Sequence, residues 1–150
     1  MSLKLKKKVR QITSVIELTY FGDPVAQGRP RFSRFGGAYD PPKSKAFKEC
    51  LAKDIGGQYH GELIDKPFRL ELDIYRRNNK KTSKKEIDRR EKKLSRPIVK
   101  PDTDNYAKGT IDGLTGVLWT DDNKMVELEA KKYYSVTPRI EIRVEEVDYE

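Results

Sequence analysis

The alternation of apolar and polar positions along this chain predicts a short series of elements. Val15-Ile16-Glu17-Leu18-Thr19-Tyr20-Phe21 is rich in β-branched and aromatic residues and stops at Gly22-Asp23-Pro24, so it predicts a first strand. Residues 27–42 hold three prolines and three glycines among basic and aromatic positions, which predicts a loop or irregular hairpin. From 43 to 58, Ala46, Phe47, Cys50, Leu51 and Ile55 recur at helical spacing, with Ser44 as the expected cap and Phe47, Leu51 and Ile55 turned inward. Phe68, Leu70, Leu72 and Ile74 alternate with charged residues, the period of a half-buried strand. Residues 76–96 contain only Ile87 and Leu94 as apolar side chains and predict a mobile charged insertion or a thin helix. After Pro101, Tyr106, Ala107, Thr110, Ile111 and Leu114 follow a helical pattern that closes near Gly116. Val117-Leu118-Trp119 then leads into a tight turn at residues 120–123. Residues 125–136 and 139–147 read as the two strands of a hairpin joined near Thr137-Pro138, with Ile140, Ile142 and Val144 facing one way. The sum is an α+β fold in a single domain spanning 1–150, with a mixed or mainly antiparallel sheet and two or three helices; residues 1–12 form a loose basic start.

Composition narrows the class. Only 35% of the 150 residues are hydrophobic and 37% are charged, so the core is modest and association with a second copy would bury more apolar surface. One cysteine, Cys50, and one histidine, His60, leave no intrachain disulfide and disfavour a zinc site, which fits a reducing cytoplasmic setting. No apolar run approaches signal-peptide or membrane-spanning length. The net charge of +8 is unevenly spread: residues 1–101 hold 26 Lys and Arg against 12 Asp and Glu, whereas residues 102–150 hold 6 against 12. A basic segment followed by an acidic one suits a surface that attracts phosphate beside carboxylates that hold cations.

The acidic part is concentrated. Asp102, Asp104, Asp112, Asp121 and Asp122 lie with Lys108 inside 21 residues. On a helix opening near Asp104, positions 104, 108 and 112 advance by only about 40° per step beyond a full turn, so Asp104, Lys108 and Asp112 form one polar stripe. Trp119 anchors the return of Asp121 and Asp122 toward the start of that helix. Singly, Asp102 or Asp104 reads as a helix cap and Asp121-Asp122-Asn123 as an ordinary turn. Together they make a set of hard oxygen donors of the kind that suits Mg²⁺ or Mn²⁺, with Lys108 placed to stabilise developing negative charge.

The run Lys100-Pro101-Asp102-Thr103-Asp104-Asn105-Tyr106-Ala107-Lys108, followed by residues 112–122, resembles the RusA family of Holliday-junction resolvases. Gly28-Arg29-Pro30-Arg31 and Tyr39-Asp40-Pro41-Pro42-Lys43 are similar to elements of the same family nearer the start. The resemblance implies a metal-dependent DNA endonuclease with Asp102, Asp104 and Asp122 as essential acids, Asp121 beside them at the metal and Lys108 as the accompanying catalytic lysine. It further implies Mg²⁺ with Mn²⁺ as a substitute, no organic cofactor, a homodimer that nicks four-way junctions symmetrically, and a bacterial or phage origin. Arg29, Arg31, Lys43 and Lys100 are the expected DNA contacts. Residues 76–96 are longer than in compact members, so no contacts carry over there. Phe32 and Phe35 read first as core or dimer packing, with wedging into opened DNA as the other use. Two further classes stand beside the nuclease: a branched-DNA-binding protein that does not cut, and a protein-binding module driven by its opposed charges.

Overall fold

The computed structural model describes residues 11–149. Its main sheet has four strands, β1 (Gln11–Phe21), β4 (Phe68–Arg77), β5 (Met125–Ser135) and β6 (Arg139–Asp148), in the order β1-β6-β4-β5. A small hairpin of β2 (Arg31–Phe32) and β3 (Ala38–Tyr39) precedes α1 (Pro42–Gln58); α2 (Lys84–Glu91) and α3 (Thr103–Leu114) lie between β4 and β5. The fold is a single α+β domain with a mixed sheet and three helices, as the residue pattern predicts. Of the basic start, residues 1–10 lie outside the described residues, and Gln11 and Ile12 begin β1. No helix among the described residues is long and apolar enough to cross a membrane.

The period-2 pattern of β4 and β6 explains their central place. Phe68, Leu70, Leu72, Ile74, Ile140, Ile142 and Val144 are all buried and meet Phe47, Leu51 and Ile55 of α1 and Tyr106, Ile111 and Leu114 of α3 in one core. Trp119, fully buried, stacks on Phe68 with centroids 4.9 Å apart, so Trp119→Ala is expected to cost about 3–5 kcal/mol. The opposite face of the sheet carries Arg69, Glu71, Asp73, Glu129 and Lys131, paired among themselves, with Glu141 paired to Arg139 and Arg143 to Glu145.

Three expectations need correction. Residues 125–136 and 139–147 do not form a hairpin: β5 pairs in parallel with β4, and β6 runs antiparallel to β4 on its other side and to β1. Val126 and Leu128 of β5 are half exposed, which an edge strand tolerates, whereas β4 and β6, whose apolar faces are fully buried, take neighbours on both sides. Ser44 is not the cap of α1. Pro41 is, with proline at the first helical position, and the buried Ser44 Oγ instead accepts from Gly28 N at 3.0 Å. Residues 76–96 include the thin helix, but the segment is fastened rather than loose. Arg90 lies 3.6 Å from the Tyr134 ring centroid and Arg96 4.2 Å from that of Tyr133, so the arm grips both sides of the β5 edge. Ser83 caps α2 by accepting from Glu86 N.

Candidate active site

The first motif opens α3. Its approach is pinned from two strands: Arg76 Nη1 donates to Lys100 O at 2.9 Å, and Lys132 Nζ donates to Val99 O and Pro101 O, both at 3.0 Å. Lys100-Pro101 is a cis peptide. Asp102 is the N-cap of α3 by backbone conformation, yet its side chain makes no capping hydrogen bond. One face of the helix is buried through Tyr106, Ala107, Thr110, Ile111 and Leu114, which leaves Asp104, Lys108 and Asp112 on the exposed stripe the spacing predicts. Gln27 N donates to Asn105 O at 2.9 Å, and the chain at 25–27 crosses so close that a Cβ at Gly109 would stand 3.2 Å from Val25 O and Gln27 N. Glycine is what lets that crossing happen.

The second motif is returned to the helix by the Trp119 anchor. Trp119 Nε1 donates to Thr115 Oγ1 at 2.9 Å, Ile64 N donates to Leu118 O at 2.9 Å, and Thr120 N donates to Ile64 O at 3.0 Å. Thr120 Oγ1 adds a 2.7 Å bond to Asp65, which also pairs with Lys124. The adjacent acids then divide. Asp121 caps the short 3₁₀ turn Asp122–Lys124, its Oδ1 accepting from Asn123 N at 3.0 Å, while Asp122 faces a groove between α3 and β5.

That groove, about 260 Å³, is lined by Asp104, Lys108, Asp112 and Asp122 over an apolar floor of Ala107, Ile111, Met125 and Leu128. Asp102 and Asp121 do not line it. Among the described residues, Asp102, Asp104, Lys108 and Asp122 make no side-chain hydrogen bond or ion pair, whereas Asp112 meets Lys48 at 3.4 Å. Lys48 also pairs with Asp40 at 2.8 Å, and its hydrogen bond, followed by that from Gln27 Nε2, holds the Asp40 carboxyl below its ordinary value. Lys48 and Gln27 thus tie the base of the β2–β3 hairpin to α3, a role the sequence pattern does not signal because their partners lie far along the chain. No three carboxylate, histidine or cysteine side chains among the described residues are gathered tightly enough to hold a metal ion.

All four expected DNA contacts are exposed. Arg29 and Arg31 are exposed on the hairpin, Lys100 is exposed two residues before Asp102, and Lys43 lines a second concavity of about 320 Å³ with Arg76, Arg77 and Tyr106. Arg76, which sequence reasoning passed over as part of a charged insertion, both pins Lys100 and adds positive charge there. Phe32 and Phe35 are not core residues: 75% and 91% of their surface is exposed.

Unpaired carboxylates beside an unpaired ammonium, ringed by cations, can engage metal ions and phosphate oxygens together. Comparison with known families agrees with a nuclease: the family described as endodeoxyribonuclease RusA matches residues 22–145, and the chain belongs to that family. The chain is also similar to the uncharacterized protein YqaN of Bacillus subtilis (strain 168), 42% identical over 138 residues, covering 88% of this chain and 96% of that protein.

Proposed function

We propose that this endodeoxyribonuclease resolves four-way DNA junctions by paired, symmetric phosphodiester hydrolysis, acting as a homodimer with Mg²⁺, or Mn²⁺ in its place. The observation that carries the reading is the groove in which Asp104, Lys108 and Asp122 stand together with no hydrogen-bond or ion-pair partner among the described residues. The donor set fits the metal. It is all oxygen, open to solvent, and free of Cys50 and His60, and Mg²⁺ takes only one or two protein carboxylates with water and phosphate oxygens completing its shell. A gathered triad of carboxylates is therefore not required before substrate binds. Asp104 and Asp122 would hold the ion from the groove, with Asp102 joining from the helix start.

Bound there, Mg²⁺ supplies Lewis-acid charge and an acidified water. The residues do the rest. Lys108 Nζ, on the same stripe as Asp104, meets non-bridging phosphate oxygens and stabilises the charge that grows in the transition state. The Lys48 pair holds Asp112 on the α1 side of the groove. The apolar floor of Ile111, Met125 and Leu128 limits the water around the reacting phosphate. Arg29, Arg31, Lys43 and Lys100 contact flanking phosphates.

The test is cleavage of a synthetic four-way junction with and without Mg²⁺, using a mixture of parental and Asp122→Asn chains in a third arm. Metal-dependent paired nicks, with one nick per junction in the mixture, support the reading. A junction that is bound but uncut in Mg²⁺ and in Mn²⁺ makes the protein a branched-DNA binder instead. A monomer that makes both cuts at full rate refutes the dimer.

A further inference from the structure

The β2–β3 hairpin exposes aromatic rings in a setting that names their partner. Phe32 is 75% exposed, Phe35 91% and Tyr39 48%. Between residues 29 and 39 stand Arg29, Arg31 and Arg34 and no acid, and no carboxylate among the described residues pairs with any of the three. Asp40, the nearest acid in the chain, is already taken by Lys48 at 2.8 Å.

The tip is built rather than slack. Ser33 Oγ accepts from Phe35 N and from Gly37 N, each at 3.3 Å; Ser33 O accepts from Gly36 N at 3.1 Å; Ser33 N donates to Gly37 O at 2.9 Å. Gly36 takes φ +95°, the left-handed conformation that closes a turn of this kind at no steric cost. Phe35 is therefore carried at the apex of a short, hydrogen-bonded turn. The base of the hairpin is rooted on the site helix α3 through Gln27 N to Asn105 O and on α1 through Gly28 N to Ser44 Oγ. The hairpin is thereby joined at its base to the helix that carries Asp104 and Lys108.

Exposed rings interleaved with unpaired arginines complement a polyanion that also offers flat apolar faces, which is the chemistry of unstacked nucleobases on a phosphate backbone. Continuous duplex hides those faces; a branch point or a single strand does not. Resting on the reading of the chain as a DNA-junction nuclease, we propose that the hairpin stacks unpaired or branch-point bases on Phe35 and Phe32 while Arg29, Arg31 and Arg34 hold the flanking phosphates. The hairpin then selects opened DNA over continuous duplex.

The test measures binding without divalent cation to three probes: a four-way junction with 2-aminopurine at the branch, the matched linear duplex, and an oligothymidine. Phe35→Ala is expected to weaken junction and oligothymidine binding by on the order of 10-fold or more, to leave duplex binding unchanged and to abolish the 2-aminopurine signal, with Phe35→Trp restoring it. Because 91% of the Phe35 surface is exposed, thermal unfolding should not move, and that measurement separates contact from folding. The proposal is overturned if Phe32→Ala/Phe35→Ala binds all three probes like the parent, if the loss is equal on duplex, or if sedimentation shows that the double variant has lost self-association. A parent that prefers duplex to junction, with Phe35→Ala still losing oligothymidine, removes the junction reading and leaves the stacking role standing.

Discussion

On the open face of the sheet, Arg69 of β4 bonds Glu71 at 3.2 Å, lies 3.8 Å from Glu127 and pairs with Glu129 across the strands, while Lys131 of β5 meets Glu71 at 3.3 Å and Glu129 at 3.1 Å. Arg143 bonds Glu145 at 3.0 Å and pairs with Glu17; Arg139 bonds Glu141 at 2.8 Å. In the groove between α3 and β5, Asp104, Lys108 and Asp122 have no such partners among the described residues. The sheet face even holds the larger concavity, about 620 Å³ against 260 Å³. Volume and charge density therefore do not distinguish the site. On the sheet the cross-strand pairs spend their charge on one another and help to set register. In the groove, backbone fastenings through Trp119, Thr120 and Gln27 hold the side chains, so their charge stays available to a cation or a phosphate.

The comparison breaks most visibly in cleavage. Asp104→Asn and Asp122→Asn, and Asp102→Asn beside them, are each expected to slow junction cleavage by on the order of 10²-fold or more while binding holds or tightens, because each removes a charge that acts in the transition state and repels phosphate in the ground state. Glu71→Gln and Glu129→Gln should cut at the parental rate. A groove variant that cuts normally, or a sheet variant that does not, reverses the assignment. Arg29→Ala and Arg31→Ala should each lower the log-log slope of junction binding against salt by about 0.9, since each lost phosphate contact leaves one condensed counterion in place. An unchanged slope would remove that residue from the DNA surface.

Smaller effects belong to stability. Arg69→Ala removes the cation shared by Glu71, Glu127 and Glu129, leaving Lys131 alone to meet Glu71 and Glu129, and should lower unfolding free energy by about 1–3 kcal/mol in urea, with the cleavage rate of the folded protein unchanged. Asp40 has a folded-state pKa below its ordinary value, so its contribution is complete above that ordinary value and is lost as pH falls through the lowered one. Urea midpoints should therefore drop on acidification by an increment absent from Asp40→Asn, worth less than about 1 kcal/mol for so exposed a pair. Asp73 shows the opposite sign. Burial raises its pKa despite Lys131, and its buried Oδ1 has no hydrogen-bond partner among the described residues. Its penalty is full above the raised pKa and relieved below it, so Asp73→Asn should stabilise by a few tenths to about 1 kcal/mol at neutral pH and gain nothing in acid.

Much of the site is legible along the chain because its parts are local. The stripe of Asp104, Lys108 and Asp112 follows from helical geometry alone, and the buried Tyr106, Ile111 and Leu114 lie where a period of 3.6 puts them. Trp119 anchors the return of the second motif as its place between two apolar residues and a turn suggests. The alternation of Phe68 to Ile74 and of Ile140 to Val144 marks strands buried on one face. These patterns depend on backbone periods of a few residues, which every sequence displays directly.

Tertiary structure decided the rest. Alternation says that a strand has an inner face and is silent about its neighbour, so adjacent strands joined by three residues read as a hairpin although β4 lies between them. Which of Asp121 and Asp122 faces the groove depended on a 3₁₀ turn that drew Asp121 into capping Asn123. Asp112 is tethered by Lys48, 64 residues away, and Gln27 is bonded to Asn105, far along the chain on α3. Phe32 and Phe35 have the composition of core residues, and only the projection of their hairpin beyond the packed layers left them in solvent. The physical reason is common to all four: periodicity is set by bond geometry within one element, whereas partners, exposure and unspent charge are set by how elements pack, which residues far apart in the chain determine together.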